Sequence, residues 1–107
     1  MTTFGDREQG FEAKYAHDQE LEFKISARRN KLLGEWAGGM MGLQGDNLES
    51  YAKAVVKSDF EQPGDEDVLR KVFEDLKGSG VQASEGDVRM KMDELMAVAR
   101  EQLKTGG

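Results

Sequence analysis

The chain contains no cysteine, so it can form neither a disulfide framework nor a zinc–thiolate site. Proline occurs once, and β-branched residues are scarce beside alanine, glutamate, lysine, leucine and methionine, which favour helices. No apolar run approaches the roughly 18 residues that a membrane span needs. The polar N-terminal residues do not resemble a signal peptide. These absences predict a helical protein of the cytoplasm.

Positive charge is also in short supply. The chain has 15 Lys and Arg residues against 21 Asp and Glu residues, and its formal net charge is −6. Binding to nucleic acid and to anionic membranes depends on an excess of cationic groups, so the composition argues against both functions. A length of 107 residues suits one domain with a modest core.

Four amphipathic segments predict helices near residues 20–42, 46–60, 65–78 and 84–103. Gly42 suits the C-terminal end of the first helix, because glycine readily adopts a left-handed conformation. Capping boxes are predicted from the three-residue spacing of Asp46 with Glu49 and of Ser84 with Asp87. The apolar stripe of the first helix comprises Leu21, Ile25, Leu32, Trp36 and Met40.

The short linkers between these segments favour antiparallel packing, which predicts an all-α four-helix bundle over residues 19–104. The long first helix, with Trp36, is expected to contribute most of the core. Residues 105–107 should fray. Phe60 is expected on the apolar face of the second helix.

Catalytic chemistry is hard to find in this sequence. His17 lies in an acidic stretch, so we interpret it as a solvated surface residue; a pH-sensing role remains the alternative. No nucleophile–base pair is evident, and no enzymatic activity is predicted. The basic cluster Lys24, Arg28, Arg29 and Lys31 is interpreted as a solvated helix face.

No cofactor or metal is predicted. The carboxylates between Asp59 and Asp67 lack the ligand spacing and central glycine of a calcium loop, and capping of the third helix explains Asp65–Asp67. The glycines of residues 38–45 do not match a phosphate-binding loop. Five methionines are interpreted as core filling, with an adaptable ligand groove as the alternative: Met40, Met41, Met90, Met92 and Met96.

The N-terminal segment has a different character. Phe4, Phe11 and Tyr15 recur at spacings of seven and four residues, while Gly5 and Gly10 lower helix propensity. A segment of this kind can fold on meeting a partner groove; the alternative is that it extends the first helix and packs on the bundle. Its charged candidate contact residues are Asp6, Arg7, Glu8, Lys14, His17 and Asp18.

Phe23 is a further candidate contact residue. At about 100° per residue it points away from the stripe of Leu21 and Ile25, so it does not face the predicted core. Its ring must be exposed if it contacts a partner. The alternative is that the end of another helix covers it.

Four ordered blocks of the chain resemble the zeta subunit of alphaproteobacterial ATP synthases. No block is a catalytic signature, but together they extend over nearly the whole sequence. The blocks are Phe4–Asp18, Ala27–Gly34 with Trp36, Asp59–Glu61 with Pro63–Val72, and Lys91–Leu95.

This resemblance implies a four-helix bundle with a flexible inhibitory arm at residues 1–18. It implies that the arm enters a catalytic interface in the head of F-type ATP synthase and blocks ATP hydrolysis. The protein is then expected to be a monomer when free and peripheral to the inner membrane through the synthase. The alternatives are a general helical interaction module and a small-ligand-binding bundle.

Overall fold

The protein forms a four-helix bundle in a computed structural model. The structure describes residues 2–61 and 64–104, and within these ranges it describes side chains from residue 19 onward. These ranges contain no strand and four α-helices: α1 (Thr2–Met40), α2 (Gly45–Glu61), α3 (Asp65–Gly78) and α4 (Glu85–Lys104). The predicted all-α class is confirmed. None of these helices is long and apolar enough to cross a membrane.

Helix α1 begins at Thr2, well before the predicted start near residue 20. Each glycine in the added segment disfavours a helix by about 1 kcal/mol, but extending a helix that has already formed avoids the unfavourable nucleation step. The predicted flexibility concerns residues 1–18, whose side chains are not described, and the predicted fraying concerns residues 105–107, which lie outside the described ranges. Both stay predictions.

The helix ends follow local sequence signals in most cases. Gly42 has a φ of 84°, and the Leu43 amide donates to the Gly38 carbonyl at 2.9 Å, which closes the end of α1. At the start of α4, the Ser84 amide donates to Asp87 Oδ2 and the Asp87 amide donates to Ser84 Oγ, both at 3.0 Å. The prediction of an Asp46 cap was wrong, because α2 begins at Gly45 and Asp46 already lies in its first turn.

Helix α3 supplies more of the core than α1, contrary to the expectation from sequence. Of the nine residues in the main buried cluster, α3 contributes Val68, Leu69, Val72 and Leu76. Trp36 is only partly buried and packs at the edge of this cluster, where the Lys91 ammonium lies 5.6 Å from its ring centroid. The remaining members of the cluster are Leu33, Ala37, Val55, Val88 and Met92.

Small residues account for the modest contribution of α1. A Cβ atom built on Gly34 would lie 2.6 Å from the Ala52 Cα atom, so α1 and α2 approach closely at this point. Their backbones therefore occupy space that side chains would fill in a wider pair of helices.

Three apolar residues predicted to face the core are exposed: Leu21, Met40 and Phe60. Leu21 lies at one end of the bundle, level with the last turns of α4, where Arg100 Nη1 donates to Glu22 Oε1 at 3.0 Å. Met40 is the last residue of α1. Phe60 lies in the last turn of α2, beside α1.

Candidate partner-binding surface

The predicted contact residues fall into two groups. The first group belongs to the N-terminal part of α1, whose side chains are outside the described part of the structure. Its members are Phe4, Asp6, Arg7, Glu8, Phe11, Lys14, Tyr15, His17 and Asp18. Phe23 is the one predicted contact whose side chain is described. The assignment of the first group to a partner interface therefore stays a prediction.

The ring of Phe23 is exposed, which the contact interpretation requires. Its side chain is 54% exposed, and the neighbouring Phe60 of α2 is 55% exposed. The two ring centroids are 5.2 Å apart and the ring planes are inclined at 41°. The alternative expectation, that a helix end covers Phe23, is met only in part: Phe60 touches the ring and leaves half of it open.

This aromatic pair lies in the α1–α2 groove. The part around Phe23 is lined by Phe23, Lys24, Ala27, Arg28, Lys31, Val56 and Leu103 of α4. The part around Phe60 is lined by Lys31, Glu35, Glu49, Ala52, Lys53, Val56, Lys57 and Phe60. The groove continues along α2 past Ala52 and Lys53 as a depression of about 570 Å³. Lys24 and Lys31 are exposed, and among the described residues neither lies within 4 Å of a carboxylate oxygen. Sequence analysis identified Phe23 but not Phe60, because Phe60 fits the apolar stripe of its own helix.

Arg29, predicted to be solvated with the rest of its basic cluster, is instead buried. Its Nη2 donates to Asp65 Oδ1 at 2.8 Å, and its Nε donates to the Asn30 side-chain oxygen at 2.8 Å. The buried Asn30 in turn donates to Asp59 Oδ2 at 3.1 Å. Asp59 also accepts from the Gly64 amide at 3.3 Å.

These bonds connect α1 to the end of α2 and the start of α3. The buried guanidinium is tolerated because its Nε and Nη2 both donate hydrogen bonds and a carboxylate faces it. The residue spacing contains only a weak signal for this network. At about 100° per residue Arg29 and Lys31 point to different sides of α1, but the spacing alone does not say which side is buried.

The acidic residues near the α2–α3 turn are engaged with amides and cations. Asp59 and Asp65 belong to the network around Arg29, Glu61 lies 3.8 Å from the Lys57 ammonium, and Glu66 accepts from Arg89 at 2.6 Å. Within residues 19–61 and 64–104 no group of three or more metal-ligating side chains converges. These carboxylates therefore stabilise the α2–α3 turn and the contacts between neighbouring helices.

Tyr51 is the half-buried group with the clearest electrostatic perturbation. Burial raises the pKa of its hydroxyl above the usual value of 10.0, and the hydrogen bond to Asp75 and the charge of that carboxylate raise the pKa further. The Tyr51 hydroxyl donates to Asp75 Oδ2 at 2.9 Å, and Lys71 donates to the same oxygen at 3.1 Å. The phenol is thus held neutral as a link between α2 and α3.

Comparison with known proteins agrees with this architecture. A family model described as ATPase inhibitor subunit zeta matches residues 1–102. One solved structure, a solution NMR structure of a protein, is 48% identical to this chain, with a TM-score of 0.71. The match covers 81% of this chain and 99% of the other. Comparison with curated proteins gave no match.

Proposed function

We propose that this chain, which belongs to the ATPase inhibitor subunit zeta family, blocks ATP hydrolysis by inserting residues 1–18 into a catalytic interface of the ATP synthase head. The family supports an inhibitory role at ATP synthase. The observation that carries the proposal is the extent of the family match, which includes residues 1–18 as well as most of the bundle. An inhibitor of this kind acts by occupying space, so it needs no catalytic group of its own.

The structure supports separate roles for the bundle, which folds around its own core, and for the N-terminal segment, which would bind the partner. The bundle has a continuous buried core, and α1 extends without a break from that core to Thr2. Because α1 is continuous, a partner that binds the N-terminal segment also keeps the bundle close to the binding site. In this proposal Phe4, Phe11 and Tyr15 are the apolar anchors, and Asp6, Arg7, Glu8, Lys14, His17 and Asp18 contact the polar rim of the interface.

The proposed partner is the catalytic head, and the proposed location is the cytoplasm, peripheral to the inner membrane through the synthase. The free chain is proposed to be a monomer. Recovery of the ATPase head with this chain from alphaproteobacterial membranes would support the inhibitor over a general interaction module; its absence among the captured proteins would contradict the proposal.

Aromatic truncation tests the proposed arm directly. Truncating an anchor that fills an interface pocket typically weakens binding by roughly 2 kcal/mol or more. Phe11→Ala and Tyr15→Ala should therefore each raise the concentration that half-inhibits ATP hydrolysis by a matched head at least about tenfold. Thermal melting followed by circular dichroism should change little, because surface substitutions usually stay within about ±0.5 kcal/mol.

Met90→Ala is the control, because Met90 is 72% exposed on α4 and outside the proposed arm. It should leave inhibition unchanged. Full inhibition by folded Phe11→Ala and Tyr15→Ala variants would show that these rings are not the anchors. A large fall in their melting temperatures would place the rings in the bundle instead.

A further inference from the structure

The α1–α2 groove exposes apolar surface that the bundle does not need for its own core. Phe23 and Phe60 each leave more than half of the side chain exposed, although they touch each other. Val56 and Ala27 are only partly buried beside them. Contiguous exposed apolar surface of this kind, bordered by polar residues, marks interaction sites in soluble proteins.

Basic side chains outnumber acidic ones in the groove, the reverse of the chain as a whole: the groove is lined by Lys24, Arg28, Lys31, Lys53 and Lys57 together with Glu35 and Glu49. The part that contains Phe23 has Lys24, Arg28 and Lys31 among its lining residues and no carboxylate. Arg28 donates to the neutral Gln102 side chain at 2.7 Å, so that bond leaves its charge uncompensated. In a chain with a net charge of −6, this local positive surface favours an acidic partner.

The shape of the groove favours an elongated partner. Phe23, Ala27 and Lys31 follow one another every four residues along α1, and they span about 12 Å at 1.5 Å per residue. Val56 and Phe60 form the facing row on α2. Two facing rows that contain apolar side chains form the kind of groove that accepts an amphipathic helix. The apolar residues of such a helix, spaced by three or four, would pack between the rows.

We propose that the α1–α2 groove docks an acidic amphipathic helix on the surface of the ATPase head, separate from the interface that receives residues 1–18. This inference rests on the proposed function. The two contacts are joined by one helix, so docking of the bundle raises the effective concentration of the arm at its own site. The groove therefore strengthens inhibition without entering the catalytic interface.

Truncation of the aromatic pair tests the apolar part of the proposal. The full-length variants Phe23→Ala and Phe60→Ala should each raise the Kd for the isolated ATPase head about tenfold or more in a calorimetric or surface-binding assay. Met90→Ala removes a similarly exposed apolar side chain outside the groove and should leave the Kd unchanged. Because both rings are more than half exposed, circular dichroism should show folded variants.

Charge reversal tests the electrostatic part. Lys31→Glu and Lys77→Glu change the net charge equally, and both lysines are exposed, but Lys77 lies at the end of α3 outside the groove. Lys31→Glu should raise the Kd more than Lys77→Glu. The difference between the two variants should shrink when salt rises from about 50 to about 200 mM, because added ions screen exposed charges.

The results separate this inference from the proposed function. An unmodified chain that binds the head without inhibiting hydrolysis overturns the proposed function, and the groove variants still decide the docking proposal through Kd. An unmodified chain that does not bind the head overturns both. Inhibition by the unmodified chain with unchanged Kd for Phe23→Ala, Phe60→Ala and Lys31→Glu overturns the docking proposal alone.

Two other occupants of the groove give different results. If the groove binds lipid, Lys31→Glu weakens binding to vesicles that contain phosphatidylglycerol and leaves binding to the head unchanged. If it binds a second copy of the chain, Phe60→Ala lowers the mass measured by light scattering and leaves binding to the head unchanged. Either result overturns the proposal.

Discussion

Replacing glycines of α1 by alanine tests how closely this helix packs on α2. The added Cβ atom would lie 2.6 Å from the Ala52 Cα atom at Gly34 and 2.6 Å from the Leu48 Cδ1 atom at Gly38. At Gly39 it would lie within 4 Å of no atom beyond its chain neighbours and the backbone of its own helix. At Gly34 the obstacle is backbone, so α1 and α2 must separate. At Gly38 the obstacle is the end of a side chain that can rotate.

The magnitude follows from two opposing effects. Overpacking typically destabilises by about 1–3 kcal/mol, whereas replacing glycine by alanine within a helix favours folding by about 1 kcal/mol. We expect Gly34→Ala to lower the free energy of unfolding by about 1–2 kcal/mol, because the contact with backbone places it in the upper part of the overpacking range. The melting temperature should fall by roughly 5–15 °C in a domain of this size.

The other two variants are matched controls in the same helix. Gly39→Ala should raise the melting temperature by a few degrees or leave it unchanged, since Gly39 is exposed near the helix end, and Gly38→Ala should lie between the two. Thermal melts followed by circular dichroism give the order. A Gly34→Ala variant at least as stable as Gly39→Ala would refute the close approach of α1 and α2.

Two further substitutions test polar links between helices. Asp65→Asn removes the carboxylate that faces the buried Arg29 guanidinium, so it should lower the free energy of unfolding by about 1–3 kcal/mol in chemical denaturation, whereas Glu66→Gln breaks an exposed pair and should have no measurable effect. Equal effects would contradict the role of the Arg29 network. In the unmodified protein the raised pKa keeps the folded Tyr51 phenol protonated above pH 10 while the unfolded phenol ionises, so folding becomes less favourable as pH rises. Tyr51→Phe removes this phenol and should therefore reduce the loss of stability above pH 10. Parallel slopes of melting temperature against pH for the two proteins would show that the link to Asp75 does not hold the phenol neutral.

The sequence by itself determined the helical class and the positions of most helix ends. Both depend on neighbours within one or two turns. Apolar residues at helical spacing form each stripe, and Gly42 adopts the left-handed backbone conformation that ends α1. Ser84 and Asp87 bond each other's amides at the start of α4. Phe23 was identified as off the stripe of α1 for the same reason, since the angle between residues of one helix follows from their spacing alone.

The tertiary structure alone decided which side of each helix is buried and how the helices approach one another. Arg29 belongs to the same basic cluster as the exposed Lys24 and Lys31, and it is buried because Asp65, 36 residues away, meets it across the bundle. Phe60 belongs to an apolar stripe, yet it is exposed because α2 ends beside Phe23 of α1 without another helix covering the pair. Both outcomes depend on contacts between segments distant in the chain, and the pattern within one helix does not contain the position of the next.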